Sequence, residues 1–137
     1  MSKVQDHIQQ IYLTEETNCA ETMFRSTLRS RGVEEPENGC RMMSGFSGGC
    51  SSHRLCGAVI GGIAAVSLLV NQVDDESFDQ SKELTEAFIN RCEARLGTVN
   101  CEEIMEKWRT EEERCFRAVL QVAEEMEETL ESYEESR

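Results

Sequence analysis

One segment of the chain is apolar on every side of a helix. Residues 57–70 read GAVIGGIAAVSLLV and contain no charged side chain. A membrane-spanning helix needs about 20 apolar residues, so this shorter run predicts a buried helix and not an anchor. Because no face of it is suited to water, other elements must surround it. We therefore expect it to be the central helix of the fold.

One face of this predicted helix carries almost no side chains. Gly57, Gly61 and Ala65 recur every four residues and therefore fall on the same side. Another helix, or a compact cofactor, can come close to the backbone there.

Amphipathic segments lie on both sides of the central run, with apolar positions three and four residues apart. Gly32 and Gly97 follow two of them as expected C-terminal caps, and Pro36 is expected to open a short turn closed by Gly45. The polar segment 71–77 predicts a loop. The apolar stripes are Val4, Ile8, Ile11 and Tyr12; Ala20, Met23, Phe24, Thr27 and Leu28; Leu84, Ala87, Phe88, Cys92 and Leu96; and Phe116, Val119, Leu120, Ala123, Met126, Leu130 and Tyr133.

Length and composition favour an all-α fold, namely a single-domain helical bundle over residues 1–137 around the buried, glycine-rich central helix. The chain has one proline, and its last helix, expected at 111–135, is acidic. Lysine and arginine number 14 against 27 aspartate and glutamate, giving a net charge of −13. This balance argues against nucleic acid and against anionic membranes as partners.

Seven cysteines are a large number for a chain of 137 residues. The N-terminal residues lack the apolar run of a secretory signal, so we expect a cytoplasmic protein with reduced cysteines. In that compartment a cysteine cluster more often serves metal or redox chemistry than structural disulfides.

Several cysteines fall where helices are predicted to begin. Cys19 and Cys101 each follow an asparagine that can cap a helix, with a glutamate placed to complete a capping box. A further box at 110–113 places Cys115 in the second turn of the last helix. The helix macrodipole favours an anion at such positions, so these thiols are expected to ionise easily. Metal ligation and thiol exchange both use the thiolate, and the pattern suits either.

A glycine-rich loop precedes the central helix. Gly48 and Gly49 permit positive φ and close approach of the backbone to another group. Ser51 or Ser52 is the expected cap of the central helix, with Cys56 in its first turns. A phosphate-binding loop would require Lys-Ser or Lys-Thr after the glycines, which this chain lacks.

The remaining cysteines and His53 carry weaker signals. Cys92 shares a stripe with apolar residues, which favours a role in the core. Cys40 and Cys50 flank the glycine-rich stretch without a diagnostic spacing. On a helix His53 would neighbour Cys56, yet a surface or capping role is favoured over that of a ligand or proton donor.

The ordered motifs resemble the C-GCAxxG-C-C family of putative redox-active proteins over nearly the whole chain. The resemblance implies a helical protein with a cysteine-based redox or metal site formed by four cysteines. Its glycines also make Gly48, Gly49 and Gly57 candidate cofactor contacts. A related module fused to a multihaem cytochrome points by analogy to an iron–sulfur centre. The matching motifs are Asn18-Cys19, Gly45-Phe46-x-Gly48-Gly49, Cys56-Gly57-Ala58-x-x-Gly61, Gly97-x-x-Asn100-Cys101 and Cys115, and the four family cysteines correspond to Cys19, Cys56, Cys101 and Cys115.

Four thiolates are the ligand set of an iron–sulfur cluster or of a closed zinc site, of which the cluster is favoured. Cys50 is a further candidate ligand. The expected function is that of an oxidoreductase or electron-transfer accessory protein acting with a redox partner protein, and a homodimer is left open. The alternatives are a thiol–disulfide protein without any cofactor, and a structural or interaction protein with buried cysteines.

Overall fold

The computed structural model describes residues 2–137, and this part of the chain is mostly helical, without a β-strand. Two short turns, Val4–His7 and Gln9–Thr14, precede the first long helix, and two more, Met43–Phe46 and Gly49–His53, lead into the central one. The prediction of an all-α fold is confirmed. The α-helices are α1 (Cys19–Ser30), α2 (Glu37–Met42), α3 (Gly57–Val70), α4 (Asp75–Leu96), α5 (Cys101–Trp108) and α6 (Phe116–Glu135).

Helix α3 is the predicted central helix and begins and ends at the predicted residues. It packs against α1, α4 and α6. On the α4 and α6 side, a Cβ at Gly62 would lie 2.7 Å from the Phe88 ring and 2.9 Å from Met126 Cε. The burial is incomplete near the C-terminal end, where Leu68 is 48% exposed. None of the helices within residues 2–137 is both long and apolar enough to cross a bilayer.

The side-chain-poor face of α3 receives α1 of the same chain. A Cβ at Gly61 would collide with the backbone carbonyl of Ala20, and one at Gly57 would lie 2.6 Å from the Sγ atom of Cys19. The two helices therefore approach more closely than any larger residue would allow. This crossing fixes the first turn of α1 beside the first turn of α3.

A buried ion pair joins the end of α1 to α6. The Arg31 guanidinium donates to both carboxylate oxygens of Glu127, at 2.8 and 3.2 Å, and the Val4 backbone N–H donates to the same carboxylate at 3.0 Å. Although burial opposes ionisation, the hydrogen bonds from Arg31 lower the pKa of Glu127 to about 2. The pair also holds the N-terminal segment against the bundle.

Most predicted elements are present, with shifted boundaries at some ends. Gly32 and Gly97 follow α1 and α4 with φ of 68° and 83°, as expected of C-terminal glycines. The predicted loop 71–77 is shorter, because α4 already begins at Asp75.

The predicted start of the last helix at 111 is wrong. Residues 110–114 form a turn closed by backbone pairing of Thr110 with Arg114, and α6 begins at Phe116. Cys115 is therefore the residue that caps α6 and does not lie in its second turn.

Candidate functional site

Four cysteines from four different elements line one cavity of about 210 Å³. Cys19 is the first residue of α1 and Cys101 the first of α5, while Cys56 and Cys115 occupy the capping positions of α3 and α6. The structure thus brings together the four cysteines singled out in the sequence. Besides these four, the wall includes Tyr12, Asn18, Ser47, Gly48, Gly57, Arg109 and Arg114.

Each of these cysteines lies at the beginning of a helix, and local capping explains two of the placements. Asn18 accepts the Glu21 backbone N–H at 2.8 Å, and Asn100 accepts the Glu103 backbone N–H at 3.3 Å. These caps confirm the predicted starts of α1 and α5. Neither Ser51 nor Ser52 caps α3, because the chain turns away before the helix begins. The positive ends of four helix dipoles therefore surround the cavity.

The glycine-rich loop packs against Cys101, the first residue of α5. The Cys101 backbone N–H donates to the Arg54 carbonyl at 2.6 Å, and the Cys56 N–H donates to the Val99 carbonyl at 2.8 Å. A Cβ at Gly49 would lie 2.6 Å from Cys101 Cβ and 2.5 Å from the Arg54 nitrogen. Gly48 lines the cavity itself, whereas Gly49 packs beneath Cys101.

Replacing Gly49 with alanine is expected to displace Cys101, since the new Cβ would meet fixed backbone and the cysteine together. Gly48→Ala is the matched control: both glycines have φ near 65°, but no heavy atom lies within 4 Å of a Cβ at Gly48. Both variants should lose about 1–2 kcal/mol from the left-handed conformation. Only Gly49→Ala should also change the rate at which Cys101 reacts with a thiol reagent, as followed by mass spectrometry. Equal rates in the two variants would contradict this expectation.

The cavity wall is positively charged in an acidic protein. Within the described chain, the charged residues of the wall are Arg109 and Arg114, with no carboxylate among them. Arg109 Nη1 lies 3.7 Å from Cys115 Sγ. The Arg114 guanidinium stacks 4.0 Å from the centre of the Tyr12 ring. The cavity therefore favours an anionic group despite the net charge of −13.

Burial raises the pKa of three cavity thiols, those of Cys56, Cys101 and Cys115. It raises the pKa of Cys56 to about 12, with a smaller contribution from neighbouring Cys19, against the opposing effect of the Val59 and Ala58 backbone N–H groups. Burial likewise raises the pKa of Cys101, and it raises that of Cys115 although Arg109 opposes it. The expectation of easily ionised thiols is thus wrong for Cys101 and Cys115, because desolvation outweighs the helix dipole.

The four sulfur atoms surround a space and do not meet at one point. Within residues 2–137, no three side chains of histidine, cysteine, aspartate or glutamate lie close enough to enclose a single metal ion. The donor set itself is chemically suited to iron or zinc, because thiolate sulfur is a preferred ligand of both.

The other candidates lie elsewhere. Cys50 and His53 are exposed on the loop outside the cavity wall, both with positive φ, so His53 is not a helical neighbour of Cys56. Cys92 is completely buried in the apolar core, as predicted. Cys40 lies half-buried on α2.

Sequence reasoning missed Tyr12, Arg109 and Arg114 as parts of the cavity wall. Tyr12 belongs to an apolar stripe and gave only a packing signal, and the arginines lie in a segment dominated by glutamates. The Cys115 backbone N–H donates to the Tyr12 hydroxyl at 3.1 Å. No local pattern could have revealed a contact between residues so far apart in the sequence.

Comparison with known proteins gives one match. A family model described as "Putative redox-active protein (C_GCAxxG_C_C)" matches residues 17–129. The matched segment contains all four cavity cysteines and excludes the turn that carries Tyr12. Neither the curated proteins nor the solved structures contain a match.

Proposed function

Because the chain belongs to the C_GCAxxG_C_C family of putative redox-active proteins, we propose that its four-cysteine cavity binds an iron–sulfur cluster for electron transfer. The observation that carries the proposal is the arrangement of Cys19, Cys56, Cys101 and Cys115 around one cavity. Four thiolates are the common ligand set of such clusters.

The size of the cavity favours a group of several atoms over a single ion. A structural zinc site holds four ligands about 2.0–2.3 Å from one centre, which requires the sulfurs to converge. The described side chains contain no such convergent group of three or more. The cavity of about 210 Å³ leaves room between the sulfurs, so zinc is the less favoured occupant.

The charge of the wall suits an anionic centre. An iron–sulfur cluster with four thiolates carries net negative charge, and its potential depends on nearby charges and hydrogen bonds. Four helix beginnings and the guanidinium of Arg109 place positive charge around the sulfurs. When bound, the cluster would supply a one-electron couple that the side chains of this cavity lack.

The thiols themselves must release protons for this binding. Burial raises the pKa of Cys56, Cys101 and Cys115, so iron has to displace protons from these groups. Since the four cysteines come from four elements, the bundle must be folded for the ligand set to be complete. Cluster uptake should accordingly depend on pH and on the native fold.

A thiol–disulfide protein is the second candidate, supported by the proximity of Cys19 to the start of α3. A Cβ at Gly57, the residue after Cys56, would lie 2.6 Å from Cys19 Sγ. In this reaction two thiols would lose two protons and two electrons to the disulfide of a partner, which becomes a dithiol. The raised thiol pKa values disfavour it, because the thiolate is the nucleophile.

The decisive experiment measures iron, acid-labile sulfide and visible absorbance after anaerobic purification and reconstitution. The wild-type protein is expected to hold both elements. Single Cys→Ser changes at 19, 56, 101 and 115 are expected to abolish or severely reduce them. Cys50→Ser is the matched control, because this exposed cysteine lies outside the cavity wall, and it should retain the wild-type content.

Two results would reject the cluster. The first is a colourless, iron-free wild-type protein after reconstitution, and the second is full iron content in all four cavity variants. An iron-free protein whose count of free thiols falls by two on oxidation would support the thiol–disulfide candidate instead.

A further inference from the structure

The Tyr12 hydroxyl is a hydrogen-bond donor for which the described part of the chain provides no acceptor. Tyr12 lines the cysteine cavity and is 3% exposed. Its oxygen accepts the Cys115 backbone N–H at 3.1 Å. Within residues 2–137, no backbone, side-chain or sulfur acceptor takes the hydroxyl proton in a hydrogen bond. Folded proteins leave few such donors unsatisfied.

The surroundings hold this side chain in place. Arg114 stacks on the ring at 4.0 Å and donates both to the Tyr12 carbonyl and to the Thr17 carbonyl. The ring lies in the turn Gln9–Thr14, which packs against α1 and α6. The Cys115 backbone N–H therefore fixes the hydroxyl oxygen in the cavity wall, and the hydroxyl proton remains available to a group in the cavity.

The chemistry of the cavity identifies the missing acceptor. The charged side chains of the cavity wall belong to Arg109 and Arg114, which can only donate hydrogen bonds. A sulfur atom accepts strongly once it carries negative charge, as a thiolate or as a sulfide. Such a sulfur would accept the hydrogen bond of the Tyr12 hydroxyl and would also be attracted by the positive charge of the cavity wall.

We propose that the Tyr12 hydroxyl donates a hydrogen bond to a negatively charged sulfur in the cavity, either a cysteine thiolate or a sulfide of the bound cluster. This inference rests on the proposed function, which supplies the charged sulfur. A hydrogen bond to sulfur stabilises the more negative, reduced form of a cluster and therefore raises its reduction potential. Tyr12 lies outside the part of the chain that matches the family model, so this contact extends the site beyond the four cysteines.

The test compares Tyr12→Phe with Tyr133→Phe. The first variant keeps the ring under Arg114 and removes only the hydroxyl, and the second removes the same group from a tyrosine at the far end of α6. After anaerobic reconstitution, the midpoint potential is measured by a redox titration followed in the visible spectrum. We expect a more negative potential for Tyr12→Phe and the wild-type potential for Tyr133→Phe. Equal potentials at equal cluster content would overturn the inference.

A second measurement separates this inference from the proposed function. The reduced, iron-free proteins are alkylated with iodoacetamide at one fixed pH, and the rate constant at Cys115 is followed by mass spectrometry. Loss of a hydrogen bond to a thiolate is expected to slow Tyr12→Phe about tenfold relative to wild type and Tyr133→Phe. If the wild type forms no cluster, the proposed function fails, and the alkylation rates alone decide the role of Tyr12: a slower variant supports it, and equal rates reject it.

Discussion

Replacing Gly61 with alanine is expected to lower the free energy of unfolding by at least about 3 kcal/mol, the upper part of the range for overpacked cores. The new Cβ would collide with the backbone carbonyl of Ala20. A backbone atom cannot rotate away, so α1 and α3 would have to separate along their crossing. A domain of this kind has about 5–15 kcal/mol of stability in total, so the loss should be large in a urea titration followed by circular dichroism.

Gly45→Ala is the control for this prediction. A Cβ at Gly45 would have no heavy atom within 4 Å, and the residue does not have a positive φ. Its unfolding midpoint should stay close to that of the wild type. A Gly61→Ala protein as stable as Gly45→Ala would show that α1 and α3 do not meet at this point.

Arg31→Met is expected to lower the stability by about 3–5 kcal/mol, because it leaves the buried Glu127 carboxylate without its cation. The two side chains are 8% and 6% exposed and lie 2.8 Å apart. Arg41→Met is the matched control, since Arg41 is exposed and forms no ion pair with the described residues. Similar urea midpoints for the two variants would contradict the prediction.

The same pair predicts how stability depends on acid. Burial opposes the ionisation of Glu127. Its hydrogen bonds with Arg31, Glu131 and the Val4 backbone N–H nevertheless lower its pKa to about 2 from an ordinary value of 4.5. A carboxyl whose pKa is lowered by folding contributes stability above its unfolded pKa and loses it as the pH falls toward the folded value. We expect the wild-type protein to lose this contribution between about pH 4.5 and 2, and Arg31→Met to show a smaller loss in that interval.

The sequence was most informative where one local pattern determines one element. The run 57–70 is apolar on all sides and is followed by a polar segment, so both its helical state and its burial could be predicted. The asparagine caps before Cys19 and Cys101 also sufficed, because a capping bond is formed within one turn.

A local pattern failed at the start of the last helix. Glu113 N–H donates to Thr110 Oγ1 at 3.0 Å, so the predicted capping bond is present. The helix nevertheless does not continue, because Arg114 adopts a φ of 54° while its guanidinium reaches the Tyr12 carbonyl. The capping sequence is thus compatible with a single turn as well as with a helix, and the tertiary contact of Arg114 favours the turn.

The cysteines of the candidate site were predictable from the sequence, but the rest of the cavity wall was not. Helix starts and the resemblance to a known family pointed to all four cavity cysteines. The raised pKa values of Cys56, Cys101 and Cys115 depend on burial by segments distant in the sequence, so the helix-start pattern alone did not indicate them. The contribution of Tyr12 required the fold for the same reason.

The close approach of α1 to α3 involves two consecutive residues of α1, Cys19 and Ala20, which have different roles. Ala20 packs on Gly61 in the core, and Cys19 packs beside Gly57 at the cavity. A substitution that widens the crossing therefore shifts a packing contact and a cavity sulfur by the same movement. Substitutions at this crossing are therefore restricted both by packing in the core and by the geometry of the cavity. Selection of variants for thermal stability alone would also preserve the position of the Cys19 sulfur.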